Sequence, residues 1–156
     1  MKIFKVFTIF IFFLTIKASA GEIAGSPIIT DGDTIKIINK RIRLHGIDAP
    51  ESKQLCKKNL KEYRCGIVAT EALVKKINKN QVRCIVQDRL DRYKRYIGVC
   101  FVETINLNQW MVRNGHAVAY RRYSKDYIKD EDYAKKNKLG LWSGIFINPE
   151  KWRKLN

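Results

Sequence analysis

Three short segments of this chain concentrate side chains able to bind cations or phosphate. Asp31-Gly32-Asp33-Thr34 and Asp48-Ala49-Pro50-Glu51 each set carboxylates on a turn beside a β-like run. Carboxylates and backbone carbonyls suit calcium or magnesium, whereas zinc or copper prefers imidazole or thiolate ligands that these segments lack. One acidic turn says little, because Asp31 can bond to the local backbone while Gly32 takes a positive φ. Two such turns can meet at one rim of a sheet and together hold a hard cation.

The third segment, Asp91-Arg92-Tyr93-Lys94-Arg95, puts guanidinium groups and a phenol on a tight connection. Arg forms paired N–H bonds with phosphate oxygens, although an ordinary basic hairpin tip has the same composition. Arg43 stands five residues before Asp48 on the same strand, where it reaches the acidic rim or lies in solvent. Ala119-Tyr120-Arg121-Arg122-Tyr123 interleaves rings with cations. That combination stacks bases while neutralising their phosphates, and it is equally a pattern of amphipathic surface packing.

The elements that must position these groups follow from periodicity. Ile28 to Ile38 and Arg41 to Ile47 are rich in β-branched residues and read as a hairpin across Asn39-Lys40. Lys53 to Arg64 has no sustained period and reads as a charged surface loop. In Gly66 to Lys79 the residues Ile67, Val68, Ala72, Leu73 and Ile77 predict a first helix. Val82 to Gln87 and Tyr96 to Val102 predict two strands, with the connection between them at a sheet edge. Asn106 caps a short second helix with Gly115 as its stop, and Ala117 to Tyr120 resumes as a strand. Lys125 to Lys138 predicts a third helix with Tyr127, Ile128, Tyr133 and Ala134 inward. Five strands and three helices in the order β-β-α-β-β-α-β-α predict an α+β fold, mainly a small barrel of the OB type.

A chain of 156 residues holds one such domain. Lys2 and Lys5 precede an apolar run from Val6 to Ile16, and Ala18-Ser19-Ala20 supplies small residues for cleavage. Residues 1–20 thus read as a secretory signal peptide, 21–148 as the domain and 149–156 as a short basic tail. The apolar run is too short for a membrane anchor, so the expected destination is secreted or periplasmic. Without Lys2, Lys5 and Lys17, 28 basic residues still face 15 acidic ones. Such an excess attracts polyanions, with nucleic acid, acidic membranes and cell-wall polymers as the competing partners.

The four cysteines are even in number behind an export signal, which permits disulfides. Three pairings exist on paper. Cys84 and Cys100 lie in β-like runs flanking a turn, where opposed positions come within bridging distance, and Cys56 then pairs with Cys65. Their spacing lacks a close Cys-x-x-Cys pair, and His45 and His116 stand alone, which argues against zinc.

Taken in order and spacing, Thr30 to Thr34, Arg43 with Asp48-Ala49-Pro50-Glu51, and Asp91 to Arg95 resemble the staphylococcal nuclease family. The likeness continues through Asn108 to Gly115, Tyr120 and Tyr123, and Leu139-Gly140-Leu141-Trp142. The resemblance implies a calcium-dependent nuclease acting on DNA and RNA, single strands most readily, as a monomer and with 3′-phosphate products. It implies that Asp33, Asp48 and the backbone carbonyl of Ala49 bind Ca2+, with Asp31 nearby, and that Ala49 replaces a common threonine. It further implies catalytic roles for Arg43, Glu51 and Arg95, and substrate contacts from Tyr93, Tyr120 and Tyr123. Lys94 stands where the family usually has glycine, so either the turn differs or Lys94 adds a phosphate contact. Two other readings are a nucleic-acid-binding module without catalysis and a cationic protein acting on membranes or cell walls.

Overall fold

A computed structural model describes residues 21–156; the leader read in residues 1–20 lies outside them. The chain runs through strands β1 (Gly21–Gly25), β2 (Ile28–Asp31), β3 (Thr34–Ile37), β4 (Lys40–Leu44) and β5 (Ile47–Asp48). A hairpin of β6 (Leu55–Lys58) and β7 (Lys61–Arg64) then leads into helix α1 (Cys65–Ile77). The long pair β8 (Val82–Leu90) and β9 (Tyr96–Val102), the short β10 (Ile105–Asn106), helix α2 (Leu107–Arg113) and β11 (Val118–Ala119) come next. Helix α3 (Ile128–Lys136), a 3-10 turn (Gly140–Ser143) and helix α4 (Pro149–Leu155) complete the chain.

The main sheet has the order β1-β8-β9-β4-β3-β2, with β10 on β9. It curls into a half-barrel: Gly25 in β1 comes so near β3 that a Cβ on it would lie 3.0 Å from Ile37. The architecture is the expected α+β, OB-like one, with four α-helices among the described residues rather than three. Period-two alternation explains which way each strand faces. Ile42 and Leu44 in β4 are buried while Arg41 and Arg43 point away from the core. In β8 the buried residues are Val82, Cys84 and Val86, and in β9 Gly98, Cys100 and Val102.

Buried Asn108 in α2 ties this frame to the segment leading toward Asp48. Its Oδ1 accepts from the Cys100 amide at 3.0 Å, and its Nδ2 donates to the carbonyls of His45 and Gly98 at 2.9 and 3.1 Å. Both disulfides form in the expected pairing. Cys84 and Cys100 are directly opposed across β8 and β9, and Cys56 joins Cys65 across the base of the β6–β7 hairpin. A cross-link between cysteines 16 positions apart stabilises the fold by about 3 kcal/mol, chiefly through the unfolded chain.

Several elements depart from the sequence reading. The run Ile28 to Ile38 is two strands, because the turn at Gly32 and Asp33 folds β3 back on β2. The turn between β3 and β4 falls on Ile38 and Asn39, both at positive φ. Lys53 to Arg64 is mostly hairpin rather than loop, with Asn59 and Leu60 at its tip in the left-handed region. Helix α1 buries Ala69, Leu73 and Ile77, spaced four apart, and leaves Ile67 and Val68 exposed. Helix α3 starts at Ile128; Tyr133 is exposed, and the acids Asp130 and Glu131 are buried instead. Glu131 is paired by Arg121, Lys135 and the amide of Ala119, and Asp130 by Arg113 and Gln109. The basic segment after Asn148 is helical. No helix among the described residues is long and apolar enough to cross a membrane.

Candidate active site

The two acidic turns meet. Asp33 lies at the β2–β3 turn, where the Asp33 amide donates to Asp31 Oδ1 at 3.0 Å and holds the turn shut. Asp33 Oδ2 accepts from the Ala49 amide at 2.8 Å, which locks this turn to the segment carrying Asp48 and Glu51. Gly32 is needed for that approach rather than for a positive φ: a Cβ there would stand 2.7 Å from the Cβ of Ala49. Asp48 is fully buried at the end of β5.

Arg43 sits between the two aspartates. Its guanidinium pairs with Asp33 Oδ2 at 3.0 Å and Asp48 Oδ1 at 3.1 Å, and it also donates to the Leu44 carbonyl at 3.3 Å. Even so, burial, with the charge of Asp33 adding to it, pushes the Asp31 carboxyl up to about 6. Burial likewise raises Asp48 to about 6, against the opposing pull of the Arg153 and Arg43 guanidiniums. The donors these carboxylates offer are oxygens, which fit a hard divalent cation better than a soft one. Among the described residues no three His, Cys, Asp or Glu side chains are grouped so as to hold a metal ion by themselves.

Arg95 comes from the β8–β9 connection, which projects from the end of two inner strands. Asp91 organises that turn: its Oδ1 accepts from the amides of Tyr93 and Arg95, both at 2.9 Å, and its Oδ2 accepts from Arg95 Nε at 2.8 Å. Burial of the Asp91 carboxyl is outweighed by these bonds, and its pKa is lowered. Arg95 Nη1 reaches Thr34 Oγ1 at 3.4 Å, and the Thr34 hydroxyl donates to Asp33 Oδ1 at 3.2 Å, so the basic turn is linked to the acidic one. Tyr93 lies between Arg92 and Arg95, with guanidinium carbons 4.7 and 5.2 Å from its ring centre.

Lys94 adopts the left-handed conformation, φ 59°, that glycine would take without strain. Lys94 therefore carries the backbone cost of a side chain in that region. Lys94→Gly is expected to raise stability by about 1 kcal/mol, read as a shift of the urea midpoint at constant slope. No shift would mean that the lysine side chain offsets the backbone cost.

One cavity of about 840 Å³ brings the expected groups together. Asp33, Arg43, Ala49, Glu51 and Arg95 line it, as do the rings of Tyr93, Tyr120 and Tyr123. Tyr120 and Tyr123 pack edge to face with centroids 4.7 Å apart. Asp48 lies beneath this surface, and Lys94 is exposed at the turn tip outside the lining. Gly66, in the first turn of α1, backs Glu51. A Cβ at that position would come within 2.0 Å of the Glu51 carbonyl oxygen and 2.8 Å of that of Pro50.

The sequence reading missed Arg153 of α4. It donates to Asp48 Oδ2 at 2.9 Å and to Glu51 Oε1 at 3.0 Å, so it spans the two acids across more than one hundred positions of chain. Burial disfavours its charge, but those two carboxylates more than offset this and hold its pKa above the ordinary value. Arg92 of the third segment also lines the cavity, as do Arg41 and Arg89, whose only sequence signal was the overall charge.

Residues 41–144 match the family model described as staphylococcal nuclease homologue. The chain belongs to the staphylococcal nuclease family. Within it, the chain is 36% identical over 134 residues to the succinoglycan biosynthesis protein ExoI of Rhizobium meliloti (strain 1021), covering 83% of this chain and 70% of that protein. It is 32% identical to an uncharacterized endonuclease of Haemophilus influenzae, over 81% of this chain and 70% of the relative. A micrococcal nuclease of Shigella flexneri is 34% identical over 81% of this chain and 77% of its own length. In this member of the staphylococcal nuclease family, ion pairs and hydrogen bonds link Asp33, Arg43, Asp48, Arg153 and Glu51, with Arg95 joined to Asp33 through Thr34.

Proposed function

We propose that the chain is an exported, calcium-dependent nuclease that hydrolyses phosphodiester bonds of DNA and RNA. The observation that supports this reading is the shared cavity: Glu51 lines it together with Arg43 and Arg95, and the Ala49 amide ties the Asp33 turn to the segment that carries Asp48 and Glu51. Calcium bound by Asp33, Asp48 and the Ala49 carbonyl would supply positive charge to a phosphate oxygen.

Glu51 takes a proton from water, and the resulting hydroxide attacks phosphorus. Arg43 and Arg95 hold the non-bridging oxygens and stabilise the charge that grows on them. Arg95 acts as a fixed cation rather than an acid, because a guanidinium with pKa above about 12 scarcely releases a proton. The bond from phosphorus to the 5′ oxygen breaks, the 5′ oxygen is protonated from solvent, and a 3′-phosphate end remains. Tyr93 donates to the neighbouring phosphate, Tyr120 and Tyr123 lie against a base or sugar, and Lys94 meets a phosphate further out. Stacking of this kind accepts many sequences and is easiest with single strands, engaged by a monomer. Two disulfides accord with secretion or a periplasmic location.

Purified protein is expected to degrade single-stranded DNA with calcium, to stop when a chelator is added, and to recover with excess calcium. Calcium at a hundredfold its Kd should also stabilise the fold by about 2.7 kcal/mol. Hydrolysis that persists in chelator, or none in calcium, would sink the proposal.

A further inference from the structure

The carboxylate of Glu51 is 39% exposed and, among the described residues, accepts one hydrogen bond, from Arg153. The other arm of the same guanidinium reaches Asp48, whose side chain is 1% exposed. A planar fork anchored on a buried acid therefore sets where Glu51 points. A second contact secures the arrangement. The Gln54 side chain is fully buried; its Oε1 accepts from the Glu51 amide at 3.3 Å, and its Nε2 donates to the Ile147 carbonyl at 2.6 Å, just before α4. The Glu51 loop and the entry to α4 are thus held in register at both the backbone and the carboxylate.

Helix α4 is itself fastened down. Asn148 caps it, Pro149 is buried in its first turn, and Glu150 pairs with Arg122 at 3.4 Å. These contacts deliver Arg153 to the site from outside the segment, 41–144, that matches the family model.

We propose that Arg153 is a positioning residue: through its bridge to Asp48 it orients the Glu51 carboxylate toward the attacking water. This rests on the nuclease reading above. The rival account makes Arg153 a resident counter-ion that must leave before a divalent cation can bind Asp48. The two differ in sign, because a counter-ion obstructs while a positioning group assists.

The test uses the full chain with Arg153→Ala, Arg153→Lys, Glu51→Gln and the double variant Glu51→Gln with Arg153→Ala. Hydrolysis of single-stranded DNA is followed for kcat and KM, calcium affinity by calorimetry, and folding by urea midpoint. Arg153→Ala is expected to lower kcat about 10- to 100-fold with KM within about threefold, the scale of a misplaced catalytic group. Added to Glu51→Gln, it should cost nothing further, since its effect passes through Glu51. Arg153→Lys keeps the charge but cannot span both acids; it should lower kcat at an unchanged urea midpoint, which keeps the test valid if the alanine variant unfolds. Wild-type kcat in the lysine variant, a further tenfold loss in the double variant, or tighter calcium with faster turnover in Arg153→Ala would each overturn the proposal. Wild-type protein inactive in calcium would instead refute the nuclease reading itself.

Discussion

Glu51→Gln should lower kcat for calcium-dependent DNA hydrolysis by about 10²- to 10⁴-fold, the range for losing a positioned base. The amide keeps the size of the side chain and can still meet the Arg153 guanidinium through its carbonyl oxygen, but it no longer takes a proton from water. Glu51 is partly exposed, so its ion pair contributes little to folding, and the urea midpoint should stay near that of the parent. KM should also change little, because Glu51 is assigned to the water rather than the phosphate. Activity within threefold of the parent would remove Glu51 from the chemistry.

Arg43→Ala should affect both turnover and stability. Its guanidinium is the group between Asp33 and Asp48, both buried, and removing it leaves Asp33 without that ion pair and Asp48, whose carboxyl burial already raises, with Arg153 alone. Breaking such a pair from one side costs about 3 kcal/mol without calcium, while losing a donor to the developing phosphate charge lowers kcat about 10²- to 10³-fold. Calcium should recover part of the stability but not the rate, since it restores charge balance between the acids and not the phosphate donor. Thermal unfolding of the calcium-free variant at the parent's temperature would show that Arg43 is not compensating the aspartates.

Much of the site was legible because its residues arrive in contiguous turns. Asp31 to Thr34, Asp48 to Glu51 and Asp91 to Arg95 are each a few residues long, and the β-branched runs between them imply strands that end where the turns begin. Arg43 could be placed once alternation along β4 was known, since Ile42 and Leu44 must face the core. Arg153 was not legible. Its segment is short and basic, with only Pro149, Trp152 and Leu155 as apolar residues, and its position depends on where the chain returns after the 3-10 turn. Nor was the β6–β7 hairpin: Lys57, Lys58, Lys61, Glu62 and Arg64 hide any alternation, and the pairing is secured by the Cys56–Cys65 bridge. Burial along α1 and α3 was only partly legible for related reasons. Ile67 and Val68 look like core residues but lie exposed, while Asp130 and Glu131 look like surface residues but find cationic partners beneath α3.

The bare α-carbon of Gly66 sets a limit on how this protein can drift. A deep mutational scan should find position 66 intolerant of every side chain, alanine included, although glycine offers no side chain to the chemistry. The smallest intrusion meets main-chain oxygen, which cannot swing aside as a flexible side chain would. Inactivating changes would therefore cluster at a residue with no chemistry of its own, and a conservation map would mark it as strongly as Glu51, which it backs.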